Sequence, residues 1–168
     1  MTADTMELDE NAEITEDAVD NGNIQEHAVL QLNSGLFAIP VTAVREFLEI
    51  QPFSEIPQTS LDVLGLITVR DENVAVVDLA SKLGMPSSEH TQNTRIVLLE
   101  IKKESGLSLI GAVTDDVVDV TLLEETEKQD MPDLGGEIPP EYIKKLARYN
   151  DKTIMVLDVQ KIFRGDDL

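Results

Sequence analysis

The chain has 168 residues, a length that suits one compact domain of about 100–150 residues with an additional segment. Its formal net charge of −20 argues strongly against nucleic acid or an anionic membrane as partner, because both would repel it. Cysteine is absent, which excludes disulfides, thiolate nucleophiles and cysteine metal sites. There is no secretory signal pattern and no apolar run near the roughly 18 residues of a membrane helix, so we predict a cytoplasmic protein.

Residues 1–26 are strongly acidic. They contain nine Asp and Glu residues and no Lys or Arg, with only scattered apolar positions. Such a segment cannot bury enough apolar surface to offset the entropy cost of ordering it. We therefore predict a disordered acidic tail, and a docking or masking arm is the more specific hypothesis for its role.

From His27 onwards, short apolar runs alternate with turn-forming residues, which is typical of consecutive β-strands. A polar linker at 87–93 and an acidic, Pro- and Gly-containing irregular stretch at 124–140 interrupt the pattern. One helical turn is expected within 40–46, and short helices at 79–83 and 158–163. The predicted strands are 29–32, 36–39, 47–50, 63–70, 74–78, 94–101, 107–114, 117–122, 143–149 and 153–157.

The stretch 63–79 is the strongest local signal in the sequence. Two apolar, β-branched runs flank a polar turn at Asp71-Glu72-Asn73, which predicts an antiparallel hairpin. Asp78 stands where the second strand ends and is expected to cap the following short helix through its carboxylate. Arg70 is the one cation of the stretch, and an Arg on a rigid hairpin is more often a recognition residue than a catalytic one.

The second half of the chain echoes the first. The order strand, turn, strand, Asp and short helix at 66–83 recurs at 145–163, and both halves open with two strands around a Gly-bearing turn. Two copies of one small β unit would explain the echo, and small closed barrels would remove exposed strand edges. We predict an all-β fold of two small five-stranded barrels within residues 27–164, the first at about 27–86 and the second at about 94–164.

No pattern supports catalysis, a cofactor or a metal. His27 and His90 lack a neighbouring nucleophile and are expected at the surface or the edge of the core. Asp115-Asp116 is followed directly by a strand rather than by the long helix of a phosphoacceptor domain, so a turn is expected there. Gly135-Gly136 opens no helix, and the acidic residues of the irregular stretch do not have the spacing of a calcium loop: Asp130, Asp133, Glu137 and Glu141.

The central hairpin resembles the signature of CheW-like domains, the adaptors of bacterial chemotaxis arrays. Thr68, Asp71 and Ala75 depart from the pattern, standing where Asn, Gly and Pro are usual. The resemblance covers about residues 28–163 and implies a pair of SH3-like barrels. The matching positions are Gly65, Leu66, Ile67, Val69, Arg70, Val76, Val77, Asp78 and Leu79.

The resemblance also implies a function. A non-catalytic adaptor of this kind would couple the cytoplasmic tip of a chemoreceptor to the regulatory domain of the histidine kinase CheA, in arrays beneath the inner membrane. A groove between the barrels would take an amphipathic receptor helix. The residues expected to bind partners are Val44, Arg45, Glu46, Gly65, Leu66, Thr68 and Arg70, with a core role for Val44 equally open.

Two alternatives stay open. The departures at Thr68 and Asp71 and the acidic tail favour a divergent adaptor of a non-flagellar chemosensory system, with pili or another output. The net charge alone would suit an acidic inhibitor that mimics nucleic acid, although nine of the 33 acidic residues lie in the tail and the others are scattered among turns.

Overall fold

A computed structural model describes residues 24–55, 62–127 and 138–164. Within them the chain is predominantly β, with two one-turn α-helices, α1 (Leu79–Lys82) and α2 (Val159–Ile162), and 3₁₀ turns at Val41–Ala43 and Pro140–Tyr142. The strands are β1 (Ile24–Leu32), β2 (Gly35–Pro40), β3 (Val44–Glu49), β4 (Val63–Val69), β5 (Glu72–Asp78), β6 (Arg95–Lys103), β7 (Gly106–Thr114), β8 (Asp116–Thr126), β9 (Ile143–Tyr149) and β10 (Lys152–Leu157).

The strands form two five-stranded sheets. The first is a closed barrel with the order β9-β10-β2-β1-β8, and the second has the order β3-β6-β7-β5-β4. Beyond the end of β3, Ser54 forms an antiparallel bridge with Leu66 of β4, so the chain after one edge strand reaches the other edge strand. The predicted all-β fold with two small five-stranded units is confirmed.

The membership of the two sheets differs from the predicted division of the chain. The closed barrel combines β1 and β2 with β8, β9 and β10, whereas the second sheet takes the continuous stretch from β3 to β7. The first repeat is β1–β5 and the second is β6–β10, and each opens with a hairpin, β1–β2 or β6–β7. Each sheet therefore joins the opening hairpin of one repeat to the last three strands of the other. The boundaries at about 27–86 and 94–164 are wrong because the sequence echo reveals the repeats but not the parallel pairings that exchange them, β10 with β2 and β5 with β7.

The two repeats share the geometry of their second hairpin, which is β4–β5 in the first repeat and β9–β10 in the second. Its turn has two residues in each copy, and all four have positive φ: 48° and 71° at Arg70 and Asp71, 49° and 66° at Asn150 and Asp151. Two consecutive positive φ values are the signature of a type I′ turn, whose twist matches that of the flanking strands. The first turn therefore begins one residue earlier than the sequence predicts, and Glu72 belongs to β5.

In both repeats an Asp residue follows the second hairpin and caps the short helix after it. The Asp78 carboxylate accepts a hydrogen bond from the backbone N–H of Ser81 at 3.3 Å, and that of Asp158 accepts one from Lys161 at 3.1 Å. Each Asp thereby satisfies a donor in the first turn of the short helix that follows it. The cap predicted at Asp78 is confirmed.

Most of the core lies between the two sheets and is aliphatic. It collects side chains from both sheets and from the two helices, including the fully buried Leu30, Leu99, Leu157 and Phe163. A smaller cluster around Val29 lies in the closed barrel, and another around Val76 lies in the second sheet. The central core thus joins the two sheets into one unit.

Two strands extend into segments that the sequence predicts to be irregular, the acidic tail at 1–26 and the stretch at 124–140. Ile24, Gln25 and Glu26 of the predicted tail are the first residues of β1 and pair with β8. Glu124–Thr126 of the predicted excursion continue β8. Of the rest, residues 127 and 138–140 are described and belong to no strand, whereas residues 1–23 and 128–137 lie outside the described residues.

Candidate functional site

The residues predicted to bind partners lie on the two edge strands of the second sheet and the hairpin turn between β4 and β5. Arg70 donates from Nη1 to Oε1 of Glu46 at 2.6 Å and from Nη2 to Oε2 at 3.2 Å. This paired contact joins the hairpin tip to β3, the opposite edge of the sheet. The hydrogen bond from Arg70 is the main reason that the pKa of the Glu46 carboxyl lies below its ordinary value.

Arg70 lies within the turn and is largely exposed, with 68% of its side chain accessible. Its carboxylate partner is Glu46, which lies 24 residues away in the chain. An exposed pair of this kind contributes little to folding because water competes for both charges. The guanidinium therefore stays available at the surface, but a partner must compete with Glu46 for it.

The other two predicted residues of β3 have separate surroundings. The Nε of Arg45 donates to Oε2 of Glu100 on β6 at 2.6 Å. Val44 is half-buried and packs against the central core between the sheets. Of the three, Glu46 alone contacts the hairpin tip in the described structure.

Gly65 has a packing role. A Cβ built at this position would lie 2.2 Å from the carbonyl oxygen of Ser54 and 2.9 Å from the Phe53 ring. The close approach allows Leu66 to donate its backbone N–H to Ser54 at 2.7 Å, while Ser54 donates to Leu66 at 2.9 Å. Gly65 therefore permits the bridge that connects the two edges of the sheet.

Thr68 is the remaining predicted residue. It is exposed on β4, and its hydroxyl donates to the Asn73 amide oxygen on β5 at 3.1 Å. These two residues are directly opposite each other in the β4–β5 register. The pair leaves the Thr68 side chain on the surface, near the turn that carries Arg70.

The closed barrel contains a structural counterpart of the Glu46–Arg70 contact. The pairing of β3 shifts register between Val44 and Glu46, and the pairing of β8 with β1 shifts at the equivalent place, next to Asp119. The Asp119 carboxylate accepts a hydrogen bond from the Tyr149 hydroxyl at 2.9 Å, beside the equivalent hairpin turn. This hydrogen bond is the main reason that the pKa of Tyr149 is raised.

An exposed apolar row that sequence reasoning did not single out lies on β8. Val118, Val120 and Leu122 are 38%, 43% and 46% exposed and share one face of the strand. Val120 lies directly opposite Ala28, which is fully buried in the central core. The row therefore borders the junction between the two sheets. The alternation of apolar and polar residues in 118–122 is visible in the sequence, but it does not show which face of the strand is left without a packing partner.

His27 is fully buried, contrary to the expected position at the surface or core edge. Its Nε2 lies 2.7 Å from Oε2 of Glu125, and its Nδ1 lies 2.8 Å from the Gln25 carbonyl oxygen. Both ring nitrogens therefore lie within hydrogen-bond distance of acceptor oxygens. Burial raises the pKa of Glu125, but the hydrogen bond from His27 and nearby Lys charges outweigh it and leave that pKa below its ordinary value.

The remaining candidates for chemistry have structural surroundings. The Asp115 carboxylate accepts hydrogen bonds from the Asn33 backbone at 2.6 Å and the Ser88 hydroxyl at 3.0 Å, which ties a turn to the linker. His90 packs edge-on against the Phe53 ring. Within 24–55, 62–127 and 138–164, no group of three His, Asp or Glu residues is placed to hold a metal ion. None of the helices in these ranges has the length and apolar character needed to cross a bilayer.

Comparison with known proteins agrees with this architecture. The crystal structure of the scaffolding protein TtCheW from Thermoanaerobacter tengcongensis superposes with a TM-score of 0.72 at 21% identity, covering 84% of this chain and 94% of that one. The Chemotaxis protein CheW of Rhizobium meliloti is 23% identical over 78% of this chain and 82% of its own length. That of Bacillus subtilis is 23% identical over 80% and 83%. The CheW-like domain model matches residues 26–167, and the chain therefore belongs to the CheW-like domain family.

Proposed function

We propose that this chain is a non-catalytic chemotaxis adaptor that couples the cytoplasmic tip of chemoreceptors to the histidine kinase CheA. Membership of the CheW-like family supports the adaptor role, and similar proteins carry the names chemotaxis protein and scaffolding protein. Coupling of this kind requires at least two separate binding surfaces on one rigid body. The exposed β8 row and the hairpin tip around Arg70 are the two candidate surfaces.

The β8 row suits an amphipathic helix of the receptor tip. Alternate residues of a strand are about 6.6–7 Å apart, and side chains on one helix face recur at about 5–6 Å, so the two apolar rows can interdigitate. The three exposed side chains of the row, Val118, Val120 and Leu122, would be covered by such a helix. This exposed apolar row beside the junction of the sheets is the observation that carries the proposal.

The hairpin tip suits the kinase. Its regulatory domain is expected to be a CheW-like double barrel too, so a contact between barrels is implied. Arg70 presents a guanidinium from a turn held in place by the sheet and by Glu46. Thr68 adds an exposed hydroxyl on the adjacent strand. An acidic or carbonyl-rich edge of the partner barrel would recruit both groups.

Co-sedimentation tests the coupling. Membranes containing a chemoreceptor of the source cell are mixed with its CheA, with and without this chain, and the pelleted kinase is measured. CheA should pellet with the membranes only when this chain is present. If CheA pellets equally without it, or this chain never pellets with receptor membranes, the coupling function is wrong. The same assay with receptors and kinases of a non-flagellar system distinguishes that output.

A matched pair of variants assigns the surfaces. Val120→Asn should lower binding to receptor membranes and spare binding to isolated CheA, because it removes the centre of the β8 row. Phe47→Asn, a similar change at a position that is 38% exposed on β3 of the other sheet, should leave receptor binding unchanged. Receptor binding that falls equally in both variants would contradict the assignment of the β8 row.

A further inference from the structure

A second apolar surface lies in a groove at the junction of the two sheets. The groove has a volume of about 310 Å³ and is lined from both sheets and from α2. Gln160 of α2 bridges the sheets there, since its side chain accepts from the Lys102 backbone N–H at 2.9 Å and donates to the Glu100 carbonyl at 3.1 Å. The apolar part of the lining consists of Leu107, which is 61% exposed, the half-buried Ala43, and the buried Pro40, Leu157 and Val159 at the base.

Two lysines give this groove its charge. Lys102 on β6 and Lys144 on β9 both line it and are exposed, and neither forms an ion pair with another described residue. The two carboxylates in the lining are already engaged. Glu100 accepts from Arg45 at 2.6 Å, and Asp158 caps α2. We call this surface, defined by Lys102, Lys144 and the apolar residues between them, the lysine groove.

The N-terminal segment 1–23 joins the fold at the same end of the closed barrel. His27 of β1 lies opposite Pro40 at the end of β2, and Pro40 lines the lysine groove. Ile24 precedes His27 by three residues, a distance of about 10 Å along the strand. A third of the extended length of the segment, about 25 Å, therefore suffices to reach the groove.

The chemistry of segment 1–23 complements this surface. It carries eight carboxylates and no Lys or Arg, with single apolar residues between them at Met6, Leu8, Ile14 and Val19. The β8 row is a poorer match, because Leu122 lies beside Glu26 and Glu124, which would repel an acidic chain. Removing the eight carboxylates from the net charge of −20 leaves −12 for the rest, so attraction has to come from the local lysines.

We propose that segment 1–23 binds the lysine groove of its own chain. Its carboxylates pair with the ammonium groups of Lys102 and Lys144, and its apolar residues pack against Leu107, which is 61% exposed. The bound segment would lie over the 3₁₀ turn at 41–43, which leads into Val44, Arg45 and Glu46 of β3. This intramolecular contact goes beyond the proposed adaptor function and does not depend on it.

Zero-length cross-linking tests the contact in the full chain. A carbodiimide joins carboxylates to amines that are in ion-pair contact, and mass spectrometry then maps the linked residues. Links from segment 1–23 should concentrate on Lys102 and Lys144 at low salt and fall at 0.5 M NaCl, because an ionic contact at the surface is screened. Mixing ¹⁴N- and ¹⁵N-labelled protein separates links within a chain from links between chains.

Charge reversal supplies matched controls. Lys102→Glu with Lys144→Glu should abolish the concentrated links, whereas Lys152→Glu, beside the hairpin turn at the other end of the barrel, should leave them unchanged. Neutralising the segment by Glu13→Gln, Glu16→Gln, Asp17→Asn and Asp20→Asn should raise the acetylation rate of Lys144 by about two- to fivefold, the range expected for an exposed ion pair.

Three results would overturn the proposal. Links distributed over all exposed lysines, Lys152 included, would show that the segment has no preferred surface. Links found only between ¹⁴N- and ¹⁵N-labelled chains would make the contact intermolecular. An unchanged acetylation rate of Lys144 in the neutralised variant would show that the segment does not cover the groove.

Discussion

Glu46 and Arg70 join the two edge strands of the second sheet, although 24 residues separate them in the chain. The closed barrel has a counterpart in the hydrogen bond between Asp119 and Tyr149. In both sheets a carboxylate just after a register shift contacts the tip of the second hairpin. The repetition indicates that the contact positions the hairpin tip, and the charge of Arg70 is what distinguishes the second sheet.

The first prediction concerns that charge. Arg70→Ala should weaken kinase binding about tenfold to a hundredfold, because it removes a charge-assisted donor from the hairpin tip. Its melting temperature should change little, since the guanidinium is exposed. Titration calorimetry and thermal unfolding measure the two effects. Arg148→Ala, which removes one exposed cation from β9 of the closed barrel, is the control.

Glu46→Gln distinguishes the effect of the Arg70–Glu46 ion pair on kinase binding from the effect of the Arg70 charge itself. The Gln amide oxygen can still accept a hydrogen bond that positions Arg70, but the negative charge that competes with the partner is gone, so kinase binding should be unchanged or stronger. Wild-type affinity in Arg70→Ala would show that the hairpin tip is not the recognition surface. Unfolding of Arg70→Ala would instead assign Arg70 a structural role.

The second prediction concerns the two type I′ turns. Asp71→Gly and Asp151→Gly should each stabilise the fold by about 0.5 kcal/mol, because glycine relieves the positive φ of 71° and 66°. Neither change should weaken kinase binding, since Asp71→Gly also removes a negative charge next to Arg70. Urea unfolding measures the free energies. Destabilisation by either change would mean that the Asp side chain contributes more than the backbone strain costs.

The third prediction concerns Gly65. Gly65→Ala should destabilise the fold by about 1–3 kcal/mol, because the new Cβ would meet the Ser54 carbonyl oxygen and the backbone must move. Gly35→Ala is the control, since the nearest atom to its Cβ would be in the Phe37 ring at 3.2 Å, and the nearest backbone atom, the Leu32 oxygen, would be at 3.7 Å. Equal stability losses in the two variants, measured by urea unfolding, would contradict the role assigned to the bridge between Ser54 and Leu66.

The fourth prediction concerns pH. Because the folded-state pKa of Glu125 is lowered, its ionised form adds stability above the unfolded-state pKa, and that stability is lost as the pH falls through the folded value. The free energy of unfolding should therefore decrease below about pH 4.5. Glu125→Gln should be less stable than wild type at pH 7 by about 1–3 kcal/mol, and the difference should shrink towards pH 3.

Glu124→Gln is the matched control for this prediction. Glu124 is the exposed neighbour of Glu125 on β8, and its replacement should leave the pH profile unchanged. Urea titrations from pH 3 to pH 7 measure all three proteins. A constant difference between Glu125→Gln and wild type across that range would show that the contact with His27 does not depend on ionisation.

Local order in this protein follows from local sequence. The second hairpins, the caps at Asp78 and Asp158, and the repeat itself are all visible in the chain, because turns, caps and alternation depend on residues within a few positions of each other. The resemblance carried by the hairpin at 63–79 also led to the CheW-like family. The aliphatic core was predictable from a composition with few aromatic residues.

Long-range pairing was decided only by the tertiary structure. The parallel contacts of β2 with β10 and of β5 with β7 exchange the opening hairpins of the two repeats, and no local pattern specifies which distant strand a strand will join. The same applies to the Arg70–Glu46 pair, the burial of His27 against Glu125 and the uncovered β8 row. Each depends on which distant segments meet in the folded chain, because side-chain burial and ion pairing are set by neighbours that are far away in sequence.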